Sequence, residues 1–245
     1  MVWGSFGIVH ILSLLLGAGI IVGLYFLLRP HSARLQIVVL GILSFSGIAA
    51  IIFNLLAWGS PYEYLPLHLC SLTALVLPIA VFTRSKVLGN LLLLWSLGAV
   101  MALVVNTAQA NFEICSATFC FYFFPHLLEF GIPILLFKLG LIEKDVKCIF
   151  STLLITLAVF TMVHGINVSL NSYFAAQQIL NPAGEVIAVN YMYSIRSENP
   201  VMDLFWLLIP HPYWYMLPVI AIVGVYLSLV YLKQIVTYFK KKVTA

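Results

Sequence analysis

Charged residues are scarce in this sequence of 245 residues. Only 8% of the residues are Asp, Glu, Lys or Arg, and 63% are hydrophobic, whereas about 25% of the residues of a soluble domain are charged. The mean hydropathy is +1.09. A chain with so little charge and so much apolar surface does not form an ordinary water-soluble domain, so we predict an integral membrane protein.

Several functional patterns are also missing from the sequence. It contains no Gly-rich loop that would hold phosphates and no cluster with the spacing of metal ligands. The net charge is +4, but the basic residues are spread over short loops without interleaved aromatics, which argues against nucleic-acid binding. We therefore expect no metal, no cofactor and no nucleic-acid partner. Because no Lys or Arg precedes the first apolar run, we also expect no cleavable signal.

Long apolar runs dominate what is present, and most approach the roughly 20 residues that cross a bilayer as a helix. They cover residues of about 7–28, 36–57, 66–82, 88–105, 119–137, 148–166 and 213–232. The sequence therefore predicts an all-α polytopic membrane protein. We expect a single domain over residues 1–245, built as a seven-transmembrane helix bundle.

The basic residues predict the orientation of this bundle. Eleven of the twelve Lys and Arg residues fall in alternate loops or after the last run, and the exception is Arg196. Because cytoplasmic loops are enriched in Lys and Arg, we predict an outer N-terminus and a cytoplasmic C-terminus. The long connection over 167–212 is then an outer loop. The expected location is the cell membrane, which is the plasma membrane if the protein is bacterial.

Unusual polar side chains gather at the outer ends of the predicted helices. Polar groups at membrane depth are costly and often functional, so their grouping predicts a polar cavity that opens outward. Its candidate residues are Asn54, His68, Cys70, Asn106, His126, Glu129 and His164 from the helices, with Asn190, Tyr191 and Arg196 from the outer loop.

Cys70 is either a small inert hydrophobe or a nucleophile. A nucleophilic thiol needs a base, and His68 lies two residues away, about 200° round a helix, so we expect it to face elsewhere and to line or orient the cavity. His126, at matching depth on another helix, is the first candidate for the base, and His164 is the second.

The sequence leaves the roles of the other candidate residues open. Glu129 follows His126 by one helical turn, and it either holds the imidazole in one tautomer, carries a proton or is a neutral structural acid. Asn54, Asn106 or Tyr191 are candidate donors to an oxyanion.

The outer loops leave two further alternatives. Arg196 either binds a phosphate or pairs with Glu198 or Asp203. Cys115 and Cys120 either form a disulfide or remain free thiols.

Three stretches of the chain resemble the YwaF/TMEM164 family of integral membrane proteins. They are the Leu-Pro-Leu-His-Leu-Cys run that ends at Cys70, the Asn-Tyr-Met run from Asn190, and the Pro-Tyr-Trp-Tyr run from Pro212. The resemblance extends over residues of about 50–232. It implies an acyltransferase, since animal members look like cysteine-dependent transacylases that move a fatty acyl chain from a phospholipid onto a lysophospholipid, including ether lipids. It places the nucleophile on Cys70 and the catalytic histidine on His126.

Two functions are compatible with these residues. The first is acyl transfer between phospholipids and lysophospholipids through a Cys70 thioester, with His126 as the general base. The alternative is a non-enzymatic binding or transport protein that uses the same outer-facing pocket for a small ligand. It predicts that Glu129 matters more than Cys70.

Overall fold

The computed structural model describes residues 1–4, 6–106 and 110–243, with side chains through residue 237. These residues are mainly helical. In chain order the α-helices are α1 (Ile8–Leu28), α2 (Ala33–Ser44), α3 (Ser46–Ala57), α4 (Leu69–Thr83), α5 (Lys86–Val100), α6 (Ala117–Lys138), α7 (Cys148–Gln177), α8 (Pro200–Leu208) and α9 (Val219–Val243). Shorter elements are a π-helix (Met101–Val105), 3₁₀ turns (Pro61–Tyr64, Tyr191–Tyr193, Trp214–Met216) and two strands, β1 (Val2–Trp3) and β2 (Phe112–Glu113).

Six helical segments in the described residues are long and apolar enough to cross a membrane. They are α1, the joined α2 and α3, α5 with its π-helical extension, α6, α7, and residues 214–237. The prediction of an all-helical, multi-pass membrane protein is therefore confirmed. The third predicted span, 66–82, corresponds to the shorter α4 of 15 residues. The count of seven spans and the orientation of the termini stay predictions.

The long connection after α7 is shorter than predicted, because α7 continues for 30 residues to Gln177 instead of ending near residue 166. Polar residues beyond the predicted end of the helix bind the chain that returns over it. The Asn167 amide donates to the Tyr191 carbonyl at 2.8 Å, and the Asn171 side chain both donates to and accepts from the backbone of Val189. The predicted loop 167–212 therefore begins at residue 178.

The core of the bundle is formed mainly by α5 and α6. In each of these helices 61% of the most apolar window is buried, whereas the corresponding fraction is 11% in α7 and 17% in α1. Every residue from Leu91 to Trp95 in α5 is buried. The apolar side chains exposed on α1, α7 and α9 are typical of helices that face lipid.

The N-terminal strand pairs with the strand that precedes α6. β1 pairs antiparallel with β2, with Trp3 opposite Phe112. The Trp3 indole is fully buried, and its ring centroid lies 5.6 Å from that of Tyr122. The strand pair therefore supports the α6 segment that carries Tyr122 and His126.

At the opposite end of the bundle, a hydrogen-bond network forms around Asn90 of α5. Asn90 is 1% exposed. Its amide donates to the carbonyls of Lys86 and Glu143 at 2.7 and 3.3 Å. Its carbonyl oxygen accepts from the Asp145 backbone N–H and the Tyr231 hydroxyl at 3.1 and 2.5 Å. One side chain thus joins α5, the loop before α7, and α9.

We predict that Asn90→Ala destabilises the protein. The substitution leaves the buried Tyr231 hydroxyl and the Asp145 N–H without this partner, at a cost of about 1–3 kcal/mol for each group. The melting temperature in detergent should fall by about 4 °C or more. In the control Gln178→Ala, which removes an exposed amide bonded to Ala175 of the same helix, the melting temperature should change by less than about 1–2 °C. Equal melting of the two variants would contradict the role of Asn90.

Candidate functional site

A cavity of about 100 Å³ lies where α3, α4 and α6 meet. One face of α6 lines it, with residues at spacings of three and one: Thr118, Phe121, Tyr122, Pro125, His126 and Glu129. Further walls come from Phe112, from Trp58 directly after α3, and from the α3 residues Gly47, Ala50, Ile51 and Asn54. The first turns of α4 contribute Cys70, Ser71 and Ala74. Four of the predicted site residues, Asn54, Cys70, His126 and Glu129, therefore share one cavity.

Cys70 is the second residue of α4, which begins at Leu69. His68 is the N-cap, with an extended backbone (φ −74°, ψ 154°), and its side chain does not cap the helix. The prediction treated His68 as helical, and that was wrong. Its Nδ1 instead accepts a hydrogen bond from the Met192 N–H at 3.3 Å, so the imidazole is held by the loop after α7.

The His126 imidazole is oriented by its own helix. Its Nδ1 lies 2.7 Å from the Tyr122 carbonyl oxygen, one turn earlier. A carbonyl can only accept a hydrogen bond, so Nδ1 carries the proton and Nε2 keeps its lone pair. The predicted alternative in which Glu129 sets this tautomer is wrong, because the Tyr122 carbonyl does so.

Glu129 lines the cavity and is 3% exposed. We call the part of the cavity formed by Glu129, Gly47 and Ala74 its floor. The Glu129 Oε2 has no hydrogen-bond partner among the described residues. The floor is narrow, since a Cβ on Gly47 would come within 2.5 Å of the Ala74 Cβ and 3.0 Å of the Glu129 Oε1. Gly47 therefore allows α3 to approach α4 and the Glu129 carboxyl closely.

The three site residues predicted in the loop, Asn190, Tyr191 and Arg196, line a second cavity of about 230 Å³. Glu63, His68, Asn190, Tyr191, Arg196 and Glu198 line it. Arg196 pairs with Glu198 through its Nε at 3.2 Å, which is one of the two alternatives predicted for it. The Asn190 amide donates to the Arg196 carbonyl, and the Tyr191 hydroxyl donates to the Tyr62 carbonyl. These side chains mainly organise the loop after α7.

Two predicted pocket residues line neither of these cavities. The Nδ1 of His164 lies 3.0 Å from the Ser194 Oγ, and its ring packs against Tyr213. Asn106 donates to the carbonyl of Ala110 and accepts from its N–H, at a positive φ of 52°. Both side chains thus bind loops, and neither lines the cavity that contains Cys70.

Among the proposed oxyanion donors, only Asn54 lines the cavity that contains Cys70. Cys115 and Cys120 are free thiols, as are Cys70 and Cys148. Within the described ranges, no group of three or more His, Cys, Asp or Glu side chains could hold a metal ion.

Sequence reasoning missed Tyr122, Ser71 and Gly47. Tyr122 precedes His126 by four residues, so helical spacing alone was enough to place it on the same face. Its hydroxyl donates to the Ala102 carbonyl at 3.2 Å, within the π-helix. No sequence pattern identifies Gly47, because its role depends on the close approach of α4 to α3.

Comparison with known proteins gave one match. The family model described as the TMEM164 family matches residues 5–231, which is nearly the full chain. No curated protein and no solved structure matches the chain. Together with the six apolar helices, the match leads to one conclusion: this multi-pass membrane protein belongs to the TMEM164 family.

Proposed function

We propose that this protein transfers a fatty acyl chain between phospholipids and lysophospholipids through a thioester on Cys70, with His126 as the general base. The observation that supports this most is that a thiol and an imidazole line one small cavity, while the Tyr122 carbonyl leaves Nε2 of that imidazole able to accept a proton. This combination of nucleophile, base and orienting group is typical of cysteine-dependent acyl transfer.

The first half-reaction acylates the enzyme. His126 Nε2 takes the thiol proton while Cys70 Sγ forms a bond to the acyl carbon of a phospholipid ester. The ester C–O bond then breaks, and the imidazolium returns the proton to the departing lysophospholipid oxygen. The acyl chain remains on Cys70 as a thioester.

The second half-reaction follows the same path in reverse with a different alcohol. The hydroxyl of an acceptor lysophospholipid gives its proton to His126 Nε2 as its oxygen attacks the thioester carbon. The C–S bond breaks, and Sγ takes the proton back. The base is thus used twice, and no other reactant is required.

The length of α4 supports a lipid substrate. Its 15 residues rise about 22 Å, less than the roughly 30 Å of the hydrocarbon layer. With Arg84, which follows α4, at the inner boundary, Cys70 lies about 9 Å inside the outer one. Ester groups of glycerolipids lie near that boundary, so a phospholipid need move only a short distance into the cavity.

Two sets of donors support charge stabilisation in the transition state. α4 begins without a side-chain cap, and the N–H groups of a first helical turn have no partner within the helix. Cys70 and Ser71 belong to that turn and line the cavity, as does the Asn54 amide on α3. Such donors act on the oxyanion of acyl transfer.

A transport or binding function is the alternative, and the unpartnered Glu129 oxygen favours it. A buried carboxyl is a common proton carrier in transporters. This alternative requires no chemistry at Cys70, so Cys70→Ala would keep its function.

We predict that Cys70→Ala abolishes acyl transfer without unfolding the protein. Purified variants in mixed micelles would receive a phospholipid with a labelled acyl chain and an unlabelled lysophospholipid, and the label in the product would be measured. The Cys70→Ala rate should fall to background because no thioester can form. Cys148→Ala removes a thiol at the start of α7 and should retain transfer. Transfer by folded Cys70→Ala would refute the mechanism.

We also predict that reaction of Cys70 with a chloroacetamide lipid probe depends on His126. Loss of the base should slow labelling of Cys70 in His126→Gln by about 10²- to 10⁴-fold. His31→Gln provides a matched control, because His31 is exposed in the loop before α2. Equal labelling rates in wild type and His126→Gln, with the adduct mapped to Cys70, would exclude His126 as the base.

A further inference from the structure

The floor of the cavity presents one polar atom without a partner. Oε2 of Glu129 is buried and makes no hydrogen bond among the described residues, and Glu129 takes part in none of their ion pairs. A buried polar group without a partner costs free energy, so its retention in a cavity wall suggests that a ligand completes it.

The position of this carboxyl is set by its neighbours. Oε1 lies beside Gly47, at the point where α3 meets Ala74. Ala74 follows Cys70 by four residues, and Glu129 follows His126 by three, so each is one turn further along the same helical face. The Glu129 carboxyl therefore lies one turn below both the nucleophile and the base.

The carboxyl is suited to donate rather than to accept. A neutral carboxylic acid in an apolar site has an O–H that can be directed at a carbonyl oxygen. The residues of α3 and α4 that lie beside it, Gly47 and Ala74, are small and uncharged. His126 does not need it as an orienting acceptor, because the Tyr122 carbonyl fills that role.

The cavity has room for a small polar group beside Glu129. Its volume of about 100 Å³ is several times what one water molecule needs. It therefore accommodates an ester group. An acyl carbon between Cys70 and His126 can point its carbonyl oxygen toward the floor.

We infer that Glu129 is a further catalytic residue, which donates a hydrogen bond from a protonated Oε2 to the carbonyl oxygen of the acyl group. This inference rests on the proposed acyl transfer. The bond strengthens as the oxygen gains negative charge during attack by Cys70, and no proton is transferred. Glu129 then adds a donor to the oxyanion, in addition to the first-turn N–H groups of α4 and the Asn54 amide.

The test is the single-turnover rate of Cys70 thioester formation from a labelled phospholipid. Loss of an oxyanion donor costs about 10²- to 10³-fold, and we expect a loss of this size in Glu129→Leu. Glu129→Gln keeps an N–H donor of similar length, so it should acylate at least about tenfold faster than Glu129→Leu. Asn54→Leu should lose less than Glu129→Leu, and Phe124→Leu, altered at an exposed position of α6, serves as the matched control.

A second measurement does not depend on the folding of the Leu variant. The infrared difference spectrum between free and acylated wild type should show a shift of the carboxylic-acid C=O band that is absent in Glu129→Gln. A spectrum without this shift would overturn the inference, as would a folded Glu129→Leu that acylates within about threefold of wild type. Wild type that forms no Cys70 thioester would instead refute the proposed acyl transfer itself.

Discussion

A polar side chain inside an apolar bundle costs free energy unless it is hydrogen-bonded, and this constraint separates the buried polar residues into two groups. At one end of the bundle, Asn90 uses its whole hydrogen-bonding capacity to join α5, α9 and the loop before α7. In the cavity between α3, α4 and α6, the Glu129 Oε2 remains without a partner. The first arrangement stabilises the fold, and the second is what a binding or catalytic site requires.

The same constraint determines the state of His126. Its Nδ1 is bonded to the Tyr122 carbonyl of its own helix, so Nε2 is the ring nitrogen that can accept a proton. Trp3 packs against the Tyr122 ring, and the strand pair at the N-terminus thereby supports the helical turn that carries His126. The cavity thus combines a thiol at the start of α4 with an oriented imidazole on α6, and a buried carboxyl lies one turn below them. The proposed acyl transfer uses this arrangement.

The sequence was sufficient for features that depend on composition or local spacing. Scarce charge predicted the membrane, and a spacing of three residues placed His126 and Glu129 on one helical face. It failed where a partner comes from a distant segment. Asn106 and His164 looked like pocket residues, yet they bind Ala110 and Ser194 of the loops. The end of α7 was misplaced because Asn167 and Asn171 bind the returning chain, which periodicity cannot reveal.

The proposed chemistry depends on one covalent intermediate, so the most direct measurement is the mass of the peptide that contains Cys70. The purified protein would be incubated in detergent with a phospholipid that carries an isotopically labelled fatty acid, without an acceptor, and then digested. We expect the Cys70 peptide to gain the mass of one labelled acyl group and to lose it on treatment with hydroxylamine, which cleaves thioesters. An unmodified Cys70 peptide from protein that still transfers the label would contradict the mechanism.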